Sequence, residues 1–584
     1  MLFNQSVKTI KKIKKSMTKI DCVSVSSKYI LFKKEKYNII KRILGDLEQS
    51  YVLGHFFNWK EWGKMNWARE VALRIIEERP NEEIYTVASG VSPSGFVHIG
   101  NFREIATPYL VAKELRRLGK NVRYILSFDE FDRFRKVPGN IDPSYEQYIG
   151  RAYTDIPSPF TENESYAEYM EKRFLGELEQ MGVEVECIYQ TKEYQSGRYN
   201  KYIKIAMDNR DKIFSIIDDF RTQESTEEER RNYYPISIYC PECHTDSTTI
   251  HSYNEETGEV EYTCTCGHKD TLNINNATNI KLQWKVDWPM RWMIENVTFE
   301  TGGIDHSAAN GSKAVSERVA REIYNFEPPM YIPYNFIGIK GGGAKMSSST
   351  GNVLTITDLL QVYDPNIIWW FYARFDNMHA FDIALDTDVI RYYSEYDRWV
   401  KIYFNGNIDD KNKTILDLTN VEESYLQNPN FSYLATFLPI VNYDINLLKE
   451  LLQKENINTE TEQFNDRLQR AEYWVNNYGT DYQVTLLNTF NIDYYNTLSN
   501  IEQTWLQNTI TLLDNNYETT NDLQTALYDV VKETLHDESE LKQQQKRYFQ
   551  ILYNMLLGTD QGPKLGLFLM ALNKDKLKEL LCNK

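Results

Sequence analysis

The sequence predicts an α/β protein, in which a parallel-sheet core is interrupted by a cysteine-bearing insertion and followed by an all-helical region. Three observations carry this prediction. A βαβ pattern spans Ile84 to Phe128; Cys240, Cys243, Cys264 and Cys266 cluster among short strands and turns; and beyond Asn352 glycine becomes scarce while Leu, Ile, Tyr and Trp recur at three- and four-residue intervals through to Leu581.

In chain order, the first 64 residues are rich in lysine, with Lys8, Lys11, Lys12, Lys14, Lys15 and Lys19 all preceding the first acid, Asp21. A strand is expected at Ile84 to Ser89, then a glycine-bearing turn and an amphipathic helix from about Gly100 to Leu118. The apolar run of Val122, Tyr124, Ile125 and Leu126 fits a buried parallel strand over Asn121 to Phe128. This places the turn at the carboxyl edge of a Rossmann-like sheet, where such sheets bind ligands.

The turn reads Ser92-Pro93-Ser94-Gly95-Phe96-Val97-His98-Ile99-Gly100-Asn101. Gly90, Gly95 and Gly100 permit close approach of backbone to a nucleotide, and the helix N-terminus after His98 offers unsatisfied N–H groups to phosphate. His98 can donate to an α-phosphate oxygen, where charge grows when a carboxylate attacks the phosphorus. A second phosphate-handling candidate is the glycine-led stretch Gly341-Gly342-Gly343-Ala344-Lys345-Met346-Ser347-Ser348-Ser349. It is expected to be a mobile loop in which Lys345 supplies a point charge for a leaving pyrophosphate and the serine hydroxyls bond phosphate oxygens. Taken singly, the first is also compatible with a surface turn and the second with a linker.

Between these signatures, 139–279 reads as an insertion. Ser165 to Met181 has helical periodicity, and Glu224 to Arg231 is a charged, solvated stretch. Cys240-Pro241-Glu242-Cys243 is a zinc knuckle, followed by Cys264-Thr265-Cys266-Gly267-His268 at a gap close to that of zinc ribbons. The spacing suggests one closed, structural tetrahedral zinc, with reduced thiols as the alternative. Cys240, Cys243 and Cys264 are three ligands, while Cys266 and His268 compete for the fourth place. The stretch from Asn456 to Asn465, rich in Asn and Thr, is expected to be a loop.

Composition restricts the alternatives. The chain of 584 residues is 42% hydrophobic and 13% aromatic, enough for three or four domains with real cores. No apolar run approaches bilayer-spanning length, so no membrane partner is expected. The use of 7 Cys, four of them clustered, without an export signal, argues for a reduced cytoplasmic protein. The net charge of −17 opposes a nucleic-acid partner globally but does not report local patches. Scattered basic residues such as Arg133, Arg135, Lys136 and Arg374 are candidate contacts.

The two signatures together resemble the HIGH and KMSKS motifs of class I aminoacyl-tRNA synthetases, and the surrounding sequence is similar to the class I lysyl-tRNA synthetases. The segments that carry this resemblance include Ser89 to Glu104, Asp132-Arg133-Phe134-Arg135-Lys136-Val137-Pro138 and Val286-Asp287-Trp288-Pro289-Met290-Arg291-Trp292. It runs from about Met65 to the end. Asn101 replaces the last HIGH position, as is usual in that family, and Ser348 replaces the second KMSKS lysine.

The resemblance implies a lysine–tRNA ligase that joins L-lysine and ATP, with Mg2+, into lysyl-adenylate and pyrophosphate and then charges the 3′ end of tRNA(Lys). It implies His98 and Lys345 as catalytic residues, and Ser92, His98, Gly100, Asn101 and Lys345 to Ser349 as the ATP site. It also implies Gly90, Ser92, Glu104, Trp288, His306 and Tyr334 as the lysine site, and a Cys-x3-His pattern that favours His268 slightly as zinc ligand. Residue types agree with these roles. A buried ε-ammonium needs a carboxylate, which Glu104 supplies, and Tyr334 offers a hydroxyl and a ring face. An uncharged amino acid would leave Glu104 unpaired, arginine would be excluded by shape, and ornithine would be rejected less strongly. From residue types alone, Glu104 also reads as a helix-stabilising acid, Trp288 and Tyr334 as core aromatics and His306 as a loop histidine.

The expected division is an N-terminal extension at 1–64, a catalytic domain at 65–138 and 280–345, an insertion contacting the tRNA acceptor end at 139–279, a KMSKS-loop and stem-contact region at 346–400 and a helical anticodon-binding region at 401–584. Gly562 to Leu569 resembles that family's last helix. The extension reads as a basic arm, a targeting segment or upstream sequence, with a nonessential extension preferred, and a monomer is expected. A noncatalytic tRNA-binding paralogue and a lysyl enzyme specialised for a minor tRNA are the competing readings.

Overall fold

The computed structural model describes residues 65–582, apart from 224, 308–310, 342–353, 455–456, 480–485, 518, 533 and 535–539. The lysine-rich first 64 residues and the Lys345 to Ser349 signature therefore lie outside the described residues.

Helix α1 (Trp67–Glu78) starts at Asn66, whose side chain accepts from the Ala68 N–H and so satisfies one of the first-turn donors. It buries Trp67, Val71, Ala72 and Ile75. Strand β1 (Tyr85–Val91), helix α2 (Arg103–Arg117) and strand β2 (Val122–Phe128) form the expected βαβ unit, with β1 and β2 paired in parallel from Tyr85↔Val122 to Val91↔Phe128. The helix begins three residues later than expected, because Gly100 to Phe102 make a turn that brings the chain off the sheet edge.

Helix α3 (Tyr166–Gln180) is set by a reciprocal cap between Ser165 and Glu168 and leads to strand β3 (Glu186–Tyr189). β3 pairs in parallel with β2, so the main sheet draws its edge strand from within 139–279, the range expected to be wholly insertion. The rings of the register pair Phe128 and Tyr189 stack 5.5 Å apart across these two strands. The inserted part proper is antiparallel. Strand β4 (Ile236–Ile238) pairs with β8 (Ile280–Leu282), and β5 (Thr248–Tyr253), β6 (Glu259–Cys264) and β7 (Lys269–Asn273) form a three-stranded meander.

Helix α4 (Trp284–Glu295) returns the chain to the sheet, followed by β9 (Val297–Gly303), α5 (Ser312–Glu322) and β10 (Met330–Tyr334). The strand order is β10-β9-β1-β2-β3, and all neighbours are parallel. The chain winds outward from β1 through β2 to β3 and then resumes on the other side at β9. This reversal creates a crevice at the carboxyl ends of β1 and β9, the position where open α/β sheets take ligands.

Beyond the main sheet, helix α6 (Pro365–Arg374) and helix α7 (Asp388–Phe404) lead into successive helices as far as Leu581. The expected loop at Asn456–Asn465 ends earlier, since a helix starts at Glu462 with Thr461 capping Phe464 N–H. Phe464, Arg467, Leu468 and Ala471 recur at three- and four-residue spacing and bury that helix. The segment 562–569 contributes a helix at Leu565–Ala571, which another at Lys574–Leu581 follows, so it is not the last one.

Candidate functional site

The turn after β1 is held against the start of the segment that follows the second signature. Ile99 N–H donates to Leu354 O at 2.9 Å, and His98 bridges Thr355 in antiparallel fashion. The His98 side chain is buried, and its Nδ1 accepts from Asn101 N–H at 3.2 Å. With Nδ1 accepting, the neutral ring carries its proton on Nε2. A Cβ at Gly100 would lie 3.0 Å from the His98 ring, so glycine is what lets the helix start pass so close to it. Gly90 and Ser92 lie at the carboxyl end of β1, where the Tyr153 hydroxyl meets Ser92, and Asn101 is exposed at the mouth. Ser92, His98, Gly100 and Asn101 thus share one loop. Lys345, Met346, Ser347, Ser348 and Ser349 fall outside the described residues, and the geometry closest to them is the anchoring of Leu354 and Thr355.

Glu104 occupies the first turn of α2, where a carboxylate is stabilised by the N-terminal helix dipole. It is partly accessible yet deep in the crevice. Its carboxyl is pushed well above the usual carboxylate range, chiefly by desolvation and further by the charges of Glu300 and Asp305; the facing Tyr334 hydroxyl acts in the opposite direction. Tyr334, at the end of β10, is buried and its phenol is held well above its ordinary value by burial and by Glu104. Residues 230 apart in sequence therefore meet because β10 and α2 flank the same crevice. His306 follows β9 in an exposed turn, with its N–H donating to Gly303 O at 3.0 Å.

Trp288, on α4, belongs to a buried cluster with Ala88, Ile125, Trp292 and Val297. It stacks on Trp284 with ring centroids 5.1 Å apart and is buried. Its indole N–H donates to Glu300 Oε2 at 2.9 Å, and the Trp292 indole donates to the same oxygen. Glu300 is buried in mid-β9, and desolvation lifts its carboxyl to about 7 against the lowering influence of the two indoles. Sequence reasoning missed Glu300. In Val297-Thr298-Phe299-Glu300 the apolar and polar residues alternate, so the acid carries no local signal of burial.

A second unforeseen group sits beside it. Arg291 bonds Asp129 at 2.6 Å and pairs with Asp287, while Lys281 reaches Asp287 at 3.1 Å and Asp132 at 2.9 Å. These ties lock the end of β2, the returning strand β8 and α4 together. The i, i+4 spacing of Asp287 and Arg291 was the sequence signal.

In the insertion, the sulfurs of Cys240, Cys243, Cys264 and Cys266 all lie within 4.8 Å of one another. Cys240 to Cys266 is 3.7 Å and Cys243 to Cys264 is 3.5 Å. A tetrahedral zinc at about 2.3 Å from each sulfur would need edges of about 3.8 Å, so the donor set fits that ion. Cys266 joins the four sulfurs and His268 does not, contrary to the slight preference for His268. The reason is the tight turn in which Cys264 N–H donates to His268 O at 2.8 Å, which turns Cys266 towards the knuckle while the His268 ring tilts over Tyr262.

Among the described residues, no helix is long and apolar enough to cross a membrane. A family model for class I (K) tRNA synthetases matches residues 65–422. A lysine–tRNA ligase from Treponema pallidum is 34% identical over 540 residues, covering 88% of this chain and 98% of that protein. Those from Pyrococcus horikoshii and Streptomyces coelicolor are each 32% identical, covering 87% and 88% of this chain and 98% of their own lengths.

Proposed function

Given that this chain belongs to the class I tRNA synthetases, in the branch of the lysine–tRNA ligases, we propose that its crevice activates L-lysine with ATP and passes it to the 3′ end of tRNA(Lys). The observation that carries the choice of amino acid is Glu104, a carboxylate deep in the crevice with no cation within ion-pair distance among the described residues. A lysine ε-ammonium supplies that missing charge, with the Tyr334 hydroxyl as a further partner.

The lysine carboxylate attacks the α-phosphorus of ATP, forming lysyl-adenylate as the bond to pyrophosphate breaks. His98 and the positive end of the α2 dipole stabilise the charge that grows on the α-phosphate oxygens; the first-turn amides of α2 are themselves bonded to the carbonyls of Gly100, Asn101 and Phe102. Lys345 holds the leaving pyrophosphate, with Ser347, Ser348 and Ser349 as hydroxyl donors and Ser92, Gly100, Asn101 and Met346 as the remaining nucleotide contacts. Mg2+ accompanies ATP and neutralises phosphate charge. Gly90, Ser92, Trp288 and His306 line the space between amino acid and adenylate. In the second half-reaction the terminal ribose hydroxyl of tRNA displaces AMP.

The four cysteines would hold a structural zinc whose closed shell supplies stability to the insertion and no catalysis. The insertion is assigned to the acceptor end and the helices after 400 to the anticodon. A cytoplasmic monomer is the working state.

The deciding experiment is ATP–pyrophosphate exchange with each proteinogenic amino acid, with and without tRNA, in the wild type and Glu104→Ala. Exchange with lysine alone, lost in the variant, is expected. No exchange in either arm would favour a noncatalytic tRNA-binding protein, and exchange with another amino acid would refute the role given to Glu104 and Tyr334.

A further inference from the structure

Glu300 has no assigned role, yet its position is costly. It sits mid-strand in β9, in register with Ala88 of β1 and Tyr331 of β10, and is buried on a face otherwise lined by Ala88, Trp288, Trp292 and Val297. A buried carboxylate in an apolar layer persists only where something repays its desolvation. Two indole donors repay part of it. Both use Oε2, so Oε1 has no donor among the described residues.

The indoles that Glu300 holds are not equivalent. Trp292 is fully buried, whereas Trp288, which the reading above places at the lysine site, is stacked on Trp284 and meets the Tyr331 ring edge-on at 6.5 Å. Trp288 lies on α4 and Glu300 on β9, so their bond fixes the distance and rotation of the Trp288 ring relative to the sheet. The charge also acts directly. Glu104 feels Glu300 through the intervening space, and the Tyr331 hydroxyl, bonded to Ser307 at 3.1 Å, feels both carboxylates.

We propose that Glu300 is a positioning residue for amino-acid selection, pinning the Trp288 indole at the pocket wall and adding a second negative charge behind Glu104 that favours an amino acid with a cationic side chain. This deepens, and rests on, the lysine-pocket reading above. The groups facing Glu300 from surrounding elements are Trp288, Trp292 and Arg291 on α4, Asp129 after β2, Glu104 on α2 and Tyr331 on β10. Arg291 is already committed to Asp129 and Asp287, which leaves the site net acidic.

The test uses the full chain with tRNA present, measuring exchange kinetics for lysine, its neutral isostere norleucine and ATP in the wild type, Glu300→Gln, Trp292→Phe and Glu104→Gln. Glu300→Gln keeps an amide oxygen for the indoles and removes the charge. It is expected to raise KM for lysine about tenfold and lower lysine-over-norleucine discrimination by a similar factor, with KM for ATP changed by less than about twofold. Wild-type KM for lysine should fall as pH rises through the neutral range, and the variant should flatten that dependence. Trp292→Phe, which removes one of the two donors, should shift KM for lysine in the same direction by less and serves if Glu300→Gln fails to fold. Unchanged lysine KM and discrimination, or parallel rises in the lysine and ATP constants, would overturn the proposal. Loss of lysine exchange in Glu104→Gln with a normal Glu300→Gln would sink this inference alone, whereas a normal Glu104→Gln would sink the pocket reading.

Discussion

The helical region and the crevice both bury carboxylates, and they solve the cost differently. Where α6 and α7 meet the helical region, Arg467 bonds Asp364 at 2.8 Å and Asp397 at 3.1 Å, Arg470 reaches Asp364 at 3.3 Å, and Tyr425 adds a hydroxyl to Asp364 at 3.1 Å. Two acids face two guanidinium groups, and the cluster is complete within the chain. In the crevice, the hydrogen-bond donors to Glu104 and Glu300 among the described residues are tyrosine and tryptophan, neither acid is in an ion pair there, and both are driven upward by desolvation, with Arg291 acting on Glu300 in the opposite direction. Balanced buried charge is architecture; unbalanced buried charge waits for a ligand of opposite sign.

The contrast can be broken most easily at Glu104. Glu104→Gln should lower kcat/KM for lysine by roughly two to three orders of magnitude in the exchange assay, because the ε-ammonium loses its charge partner, without lowering the unfolding midpoint, because a raised carboxyl is removed. Arg467→Met should do the reverse. It strands Asp397, leaves Asp364 to Arg470 and Tyr425, and is expected to cost about 3–5 kcal/mol in denaturant unfolding, with KM for lysine unchanged below the transition. If Arg467→Met altered lysine KM instead, the helical cluster would not be purely architectural.

A smaller effect sharpens the comparison through pH. The Glu300 carboxyl lies at about 7 in the folded state against an ordinary 4.5, so the fold binds this proton more tightly than the unfolded chain does. Stability from that proton is present at low pH and is lost as pH rises from 4.5 through about 7. Glu300→Gln removes the penalty, and should therefore stabilise the ligand-free protein by on the order of 1–3 kcal/mol at pH 8 and by little at pH 4.5. Unfolding curves at the two pH values check the sign. Least visible globally is the sulfur cluster, another set of anionic donors calling for a cation. Cys266→Ser should lose bound zinc by elemental analysis and lower the melting temperature of the insertion, while His268→Ala should retain the metal.

Local pattern made β1, α2 and β2 legible because a strand buried on both faces and a one-sided helix leave different periods in the sequence. The Ser165 to Met181 helix was equally readable, and the cap at Ser165 and Glu168 shows why its start is sharp. The edge strand β3 was not, since four residues carry too little periodicity to distinguish a sheet edge from inserted chain. The Asn-rich loop was drawn too long because composition was followed past Thr461, where a cap already begins a helix. For the crevice, residue types named a carboxylate and an aromatic, but nothing local brings Tyr334 to Glu104; that depends on β10 and α2 sharing one end of the sheet, which resemblance supplied and spacing could not. Glu300 escaped because a single acid in Val297-Thr298-Phe299-Glu300-Thr301 reads as an exposed strand position until Ala88 and Tyr331 are seen beside it.

The central claim, that the crevice holds carboxyl groups outside any ion pair among the described residues and able to charge against a cationic amino acid, is tested most directly by the protons exchanged on binding. Calorimetric titration of lysine into the full chain near pH 7, in buffers of different ionisation enthalpy, should show proton release as the arriving ammonium lowers the raised carboxyl groups. Norleucine should bind weakly and release none. Lysine binding without proton release, together with norleucine binding of equal strength, would contradict the account.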